Sequence, residues 1–465
     1  MSTGLLIRDV EVDGRPGLDV RLAGGRIVEI GLGLSGREPD LNGRGGALIP
    51  GLIDHHIHLF GLAAQAASVR LDEATSVEAV ARALQARSAM LPPGAWLRGT
   101  GYHEGGGELL DRHGLDAMLA ERPVRIQHRT GGLWILNSMA LALVGDAEAA
   151  PCIERDALGE ATGRIWRGDD WLRTRLPQTP PSLAGISAEL ARRGVVGVTD
   201  ASVTNDQAQA GVFARAIAAG EWRQRLMLMS GGPLAAPADG SFRVGPVKVL
   251  LDDDRLPDLD AVAATMAQAH AWGRAVAVHC VAAGELAFAL AAFRMAGARP
   301  RDRIEHGGVV HPPAAREIAG LGLTVVTQPG FVAERGDRYL AEVEADDIAA
   351  LYPCASLIQA GIKVAGSSDA PYAAADPWAA MAAAVRRTTR GGRPLGLDER
   401  IGPRAALDLF LGGFEDPGGP ARRVEVGAAA DLCLLRGPLE AAIAEPDASW
   451  VAATLVGGEV IWGEA

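Results

Sequence analysis

Short β-rich runs alternate with alanine-rich helical stretches through most of the chain. The runs at 47–54, 195–200, 225–230, 244–251, 275–280, 302–306, 323–328 and 362–368 read as strands buried on both faces. Ser76 to Arg87, Leu259 to Trp272 and Glu285 to Ala296 read as helices between or beside them. Alternating strands and helices build a parallel sheet, and eight strands are what a (β/α)8 TIM-like barrel requires. The expected fold class is therefore α/β.

The two ends break this pattern. Residues 4–12, 18–30, 430–436 and 451–462 alternate apolar and polar positions around Gly-Gly turns, the signature of short antiparallel strands. They predict a small β-sandwich domain built from residues 1–48 and 420–465, which leaves 49–419 for the barrel. An insertion at about 90–180 interrupts the barrel between its first two strands. It holds the strand-like runs WLRGTGY and VRIQHRT, the tryptophans Trp96, Trp134, Trp166 and Trp171, and a Pro-rich exit, LPQTPPS. So long an insertion is expected to act as a lid that shapes the substrate site, with a decoration elsewhere on the barrel as the alternative.

Composition narrows the class. The 465 residues suit one barrel of about 250 plus something smaller. With 48% hydrophobic and 22% charged residues, and no run of about 18 apolar residues, the chain reads as globular rather than disordered or membrane-spanning. A net charge of −12 without a basic block argues against nucleic acid as a partner. The opening MSTGLLIRDVEVDG has no basic n-region or apolar block, so a cytoplasmic location is expected. Cys152, Cys280, Cys354 and Cys433 lie far apart, as free thiols rather than disulfides or a cysteine-built zinc site. The expected partner is a small-molecule substrate, with no nucleic acid and no membrane; assembly into a homo-oligomer stays open.

The strongest chemical signal is Pro50-Gly51-Leu52-Ile53-Asp54-His55-His56-Ile57-His58. Side chains at i and i+2 share one face of a strand, so His56 and His58 point together into the barrel and can grip one ion. Three further strands end in a ligand-type residue: AVAVHCV in His279, DRIEHGG in His306 and IKVAGSSD in Asp369. Barrel enzymes keep their active sites at the C-terminal strand ends, and imidazole with carboxylate suits zinc and related divalent ions. Lys248 is one of only two lysines, the other being Lys363 at the opposite end of its strand. A buried ammonium is costly. Lys248 either reaches solvent, pairs with Asp252, or reacts with carbon dioxide to give a carbamate able to bridge two metals.

These residues, in this order, resemble the metal signature of the amidohydrolase superfamily. Supporting segments include RPVRI, LNSMALALVG, GEATGRI, GVVGVTDA, TVVTQPGF, GSSDAPY, DPWAAMAAAVRR, ADLCLL and TLVGGEVI. They span nearly the whole chain and resemble the third amidohydrolase family, a group of metal-dependent hydrolases. The resemblance implies two divalent ions, zinc foremost. His56, His58 and Asp369 would hold one, His279 and His306 the other, and carboxylated Lys248 would bridge them. It further implies cleavage of a non-peptide C–N bond of amide type in a small molecule by a metal-bound hydroxide, with Asp369 as general base and then general acid.

The chain departs from the family in two places. Gly132 stands where the family has a histidine five residues before the Asn-Ser pair, and Cys280 to Glu285 replaces a Gly-Asp continuation. His103 or His128 is a candidate replacement, and with Trp134 and Gln328 these form the expected substrate contacts. One rival function is a mononuclear deaminase of an aminated heterocycle, but Ala282 stands where such enzymes carry glutamate. The other is a non-catalytic relative, which the intact ligand set disfavours.

Overall fold

The computed structural model describes residues 4–104, 107, 109–145, 150–176 and 180–463. Part of the LPQTPPS exit lies outside them. An eight-stranded parallel sheet follows chain order: β1 (Leu52–Ile57), β2 (Val195–Asp200), β3 (Arg225–Ser230), β4 (Arg243–Val249), β5 (Val276–Cys280), β6 (Arg303–His306), β7 (Thr324–Thr327) and β8 (Val364–Gly366). Every strand is parallel to its neighbour. The residues of β1, β2, β6, β7 and β8 are all buried, as strands covered on both faces must be.

No ladder joins β8 to β1. Instead, Phe410 O accepts from Ile53 N at 2.9 Å and Leu409 O accepts from Gly366 N at 2.8 Å. At the C-terminal ends, Asp369 N donates to His56 O and His58 N to Ala370 O, both at 2.8 Å. The main chain of 409–410 and 369–370 thus bridges the gap.

The first barrel strand differs from the sequence expectation. The run at 47–54 is two strands, because Pro50 has no N–H and Gly51 makes a tight joint. Leu48–Pro50 pairs antiparallel with Leu432–Leu435, and only from Leu52 does the chain enter the barrel. A Cβ on Gly51 would lie 2.0 Å from Val196 Cγ1.

The chain ends form two four-stranded sheets, one from 26–31, 15–23, 5–12 and 40–42, the other from 459–462, 451–456, 432–435 and 48–50. Ile7, Val20, Leu22 and Ile27 of the first share one core with Leu432, Leu434, Ala453 and Leu455 of the second. Strands 5–12 and 40–42 pair in parallel, unlike the antiparallel hairpins expected. Both sheets belong to the same compact unit as the barrel rather than standing apart from it.

A second unit runs from Phe60 to Pro181. It has its own six-stranded sheet, in the order 153–155, 161–166, 133–136, 124–128, 97–102, 69–70. WLRGTGY and VRIQHRT supply two of these strands. Helix Val77–Ser88, ahead of residue 90, belongs here because Val80 and Leu84 pack with Leu97, Val124 and Ile126. The buried Asn137 caps helix Ser138–Val144 through Ala140 N, accepts from Val124 N and donates to Leu119 O and Arg122 O. Among the described residues no helix is long and apolar enough to cross a membrane.

Gly51→Ala should lower stability by about 1–3 kcal/mol, the usual cost of overpacking a tight site. Urea unfolding followed by circular dichroism should show an earlier midpoint at unchanged slope. An unshifted midpoint would mean that the joint yields freely.

Candidate metal centre

The period of two along β1 puts Asp54, His56 and His58 on one face. The left-handed backbone of Asp369, at φ 54°, and of His306, at φ 70°, is costly for residues with a Cβ and persists where surrounding structure enforces it. For Asp369 that structure is Asp54. Its buried carboxylate accepts from Ser368 N at 3.0 Å, from the Ser368 hydroxyl and from His56 N at 3.2 Å. Burial pushes the Asp54 pKa up to about 6.

Asp369 Oδ1 then lies 3.4 Å from His56 Nε2 and 3.2 Å from His58 Nε2. The ligand-type atoms of these three residues fall within 4.8 Å of one another. The His306 ring centre is 4.8 Å from that of His56 and 4.4 Å from that of His279. Lys248 and all five of these residues line one cavity of about 780 Å³.

Three imidazoles are aimed by their other nitrogen. His56 Nδ1 meets Glu305, whose second oxygen accepts from Arg303 Nε. His58 Nδ1 is 3.0 Å from Ser202 Oγ, and Ser202 N donates to Asp200 at 3.0 Å. His306 Nδ1 is 2.9 Å from Gln328 Oε1. In each case Nδ1 is tied to the protein, which leaves Nε2 free to bind; such partners fix both tautomer and ring orientation.

The surroundings favour neutral bases. Burial, then the Lys248 charge, pushes the His279 pKa down to about 4. Burial first of all holds His56 and His306 well below the ordinary imidazole value and lowers Lys248. Among the described residues, His56 Nε2, Asp369 Oδ1 and Lys248 Nζ are buried without a hydrogen-bond partner. Lys248 is 4% exposed, and Asp252 instead caps the turn at Asp254. Neither the solvent-reaching lysine nor the Lys248–Asp252 pair is formed. Buried polar atoms ordinarily find partners, so this cluster fits a bound cation. Lys363, by contrast, pairs with Asp416 at 2.6 Å on the surface.

The expected substrate contacts separate. Gln328 is fully buried; besides holding His306 it donates to Ser367 Oγ at 2.9 Å. The other three belong to the 60–181 unit. His103 Nε2 lies 3.2 Å from Asp72 O. His128 contacts Thr130 at 2.8 Å and Glu104 at 3.1 Å. Trp134 is buried, donates to Asp169 at 2.8 Å and is flanked by Arg98 and Arg125.

Sequence reasoning gave no role to Asp54, Asp200, Ser202, Arg303 or Glu305. Arg303 and Glu305 did leave a signal, since two charges at i and i+2 in a wholly buried strand must pair or meet a ligand.

The family model described as "Amidohydrolase family" matches residues 40–462. The chain belongs to the amidohydrolase family. It is thus a hydrolase acting on carbon–nitrogen bonds. This amidohydrolase is 25% identical over 524 aligned residues to N-substituted formamide deformylase of Arthrobacter pascens, covering 97% of this chain and 96% of that one. It is 27% identical to YtcJ of Bacillus subtilis (strain 168) over 395 residues, 74% of each chain. An uncharacterised metal-dependent hydrolase from Pyrococcus horikoshii shares the fold with a TM-score of 0.77 at 19% identity, over 98% of this chain and 100% of that one.

The depressed imidazoles set a pH dependence of stability. An imidazole whose folded pKa lies below its ordinary 6.5 takes its proton only after the unfolded chain has taken one. Falling pH therefore favours unfolding from about 6.5 down to about 4 for His279 and about 3 for His55. His56 and His306 act in the same direction. Asp54 opposes them, between its ordinary 3.8 and about 6, as one group against four. The urea midpoint of chelator-treated protein should fall steadily from pH 7 to 4.5, and less steeply in His279→Asn. A level midpoint would contradict neutral, buried imidazoles.

Proposed function

We propose that this amidohydrolase cleaves a non-peptide amide bond of a small molecule at a centre of two divalent ions, with zinc the first candidate. His56, His58 and Asp369 would hold one ion, His279 and His306 the other, and a carboxylated Lys248 would bridge them. One observation carries the reading. Four imidazoles, a carboxylate and a lysine converge in one cavity, and His56 Nε2, Asp369 Oδ1 and Lys248 Nζ are buried there without partners. The donor set is the kind that zinc takes, and the deformylase of Arthrobacter pascens is a relative over nearly the full chain.

Divalent ions bound there would lower the pKa of a water toward neutrality and polarise the amide carbonyl. The chain's own groups do the rest. Buried imidazoles stay neutral at pH 7, so each offers a lone pair. Burial lowers the Lys248 pKa, which raises the share of unprotonated amine, the form that reacts with carbon dioxide. The resulting carbamate is an anionic oxygen donor. Asp369 Oδ1 takes the proton that the attacking water gives up and returns it to the departing nitrogen, so that acid and amine leave in balance. Glu305, Ser202 and Gln328 hold His56, His58 and His306 in orientation.

Elemental analysis should give two ions per chain. Lys248→Ala should lose one ion and most activity, and formate or acetate should restore part of both by filling the vacated space. Lys248→Arg should resist rescue because its fixed positive charge occupies that space. One ion per chain beside a bare lysine in active protein would replace this reading with a mononuclear site.

Asp369→Asn keeps an oxygen near the ions but cannot carry the proton. Turnover should drop by about 10²–10⁴-fold while much of the metal stays. Unimpaired turnover would place the proton transfer on another group.

A further inference from the structure

The wall of the cavity facing away from the ligand cluster is built by helix Gly330–Glu342. Phe331, Arg335, Arg338, Tyr339 and Glu342 follow a spacing of three and four residues, so they share one helical face, and all line the cavity. Their charges are not balanced. Arg338 spends its charge on Glu342, four residues on, at 2.6 Å. Arg335 has aromatic residues at both i−4 and i+4, Phe331 and Tyr339, and no carboxylate partner among the described residues.

The Arg335 guanidinium is nevertheless held in place. It lies 4.3 Å over the Phe331 ring and donates through Nη2 to Tyr372 O at 2.6 Å. Among the described residues its remaining donors have no hydrogen-bond partner, and the residue is half-buried. Tyr372 connects it to the metal centre, because the Tyr372 ring stands edge-on to His58 with centres 5.9 Å apart. One tyrosine therefore separates the ligand cluster from one uncompensated cation. Leu250 and Val281, exposed at the ends of β4 and β5, line the same cavity.

We propose that the substrate is an amide whose nitrogen carries an aromatic group ending in a carboxylate, and that Arg335 binds this carboxylate. The inference rests on the hydrolase reading above. The arrangement favours a single negative charge, since on this helical face Arg335 is the one cation without a carboxylate partner among the described residues. It also favours a charge about one ring away from the scissile bond, because Tyr372 sets that separation. Guanidinium and carboxylate match as planar, two-pronged partners.

The test pairs 4-(formylaminomethyl)benzoate with the neutral 4-(formylaminomethyl)benzamide. The metal-loaded enzyme should favour the carboxylate at least about 10-fold in kcat/KM, the scale of one charge-assisted contact. In Arg335→Met that ratio should collapse toward one through a higher KM. Arg335→Lys should keep part of the ratio, and Arg338→Met should keep all of it. Calorimetry with 4-methylbenzoate and 4-methylbenzamide, which are not cleaved, should show the same loss of carboxylate preference in Arg335→Met. Equal treatment of each pair by the wild-type protein, or a preference that survives Arg335→Met, would overturn the assignment. Failure of the hydrolase reading looks different: neither formamide is turned over, while the binding preference and its loss in Arg335→Met remain.

Discussion

The seam between the first and last barrel strands governs the molecule's chemistry. β1 and β8 do not share a ladder, and at their C-terminal ends the sheet is completed by Asp369 N to His56 O and His58 N to Ala370 O. Each bond contributes about 1 kcal/mol net, as backbone bonds do. Their larger effect is geometric. The residues whose main chains close the barrel are those whose side chains meet inside it, so closure itself sets the spacing of His56, His58 and Asp369. A barrel that failed to close would not hold a loosened site; it would lack the site.

Keeping that geometry requires charge inside the barrel, which is expensive. Arg303 and Glu305 lie on the same face of β6, fully buried, and their pair ends on His56. Arg303 also reaches His55 O at 3.2 Å. The stabilising value of such a pair is small beside its positioning value. Hydrophobic residues of equal size would pack as well, but they would leave the His56 ring free to turn. Asp54 does the same for the Ser368–Asp369 turn, and Asp200 for Ser202 and, through it, His58. The layer beneath the cluster is therefore polar and in large part engaged, although His55, Thr199 and Thr327 also bury atoms without partners; His56 Nε2, Asp369 Oδ1 and Lys248 Nζ lie where a cation would fit.

The sequence made the barrel legible because buried parallel strands are apolar runs, and seven of the expected runs lie within two residues of an observed strand. The ligand-type residues were legible because they stand at strand ends. What was not legible depends on contacts between distant segments. The run at 47–54 looked like one strand because the Pro50-Gly51 joint was outweighed by the hydrophobic pattern around it. The seam at 409–410 lies in helix-like sequence and has no strand signature. Gln328 read as a substrate contact because a polar residue after an apolar strand suggests a site. Its amide is spent on His306 and Ser367, which no pattern along the chain could indicate.

The division of labour among elements follows from how rigid each one is. The proposed ligand atoms come from strand ends, whose positions are fixed by ladders on both sides and by the closing seam, and a metal site tolerates little displacement. The aromatic and cationic wall comes from one face of a helix that follows β7, with packing beneath it from Phe331 and Val332 to Tyr352 and Leu395. Side chains there can change size or charge without moving His306, because Gln328 and Ser367 hold that imidazole from within the barrel. On the proposed reading, bond cleavage and substrate choice would be carried by different parts of one cavity, and Tyr372, in contact with both His58 and Arg335, is the residue through which a change in one would be felt by the other.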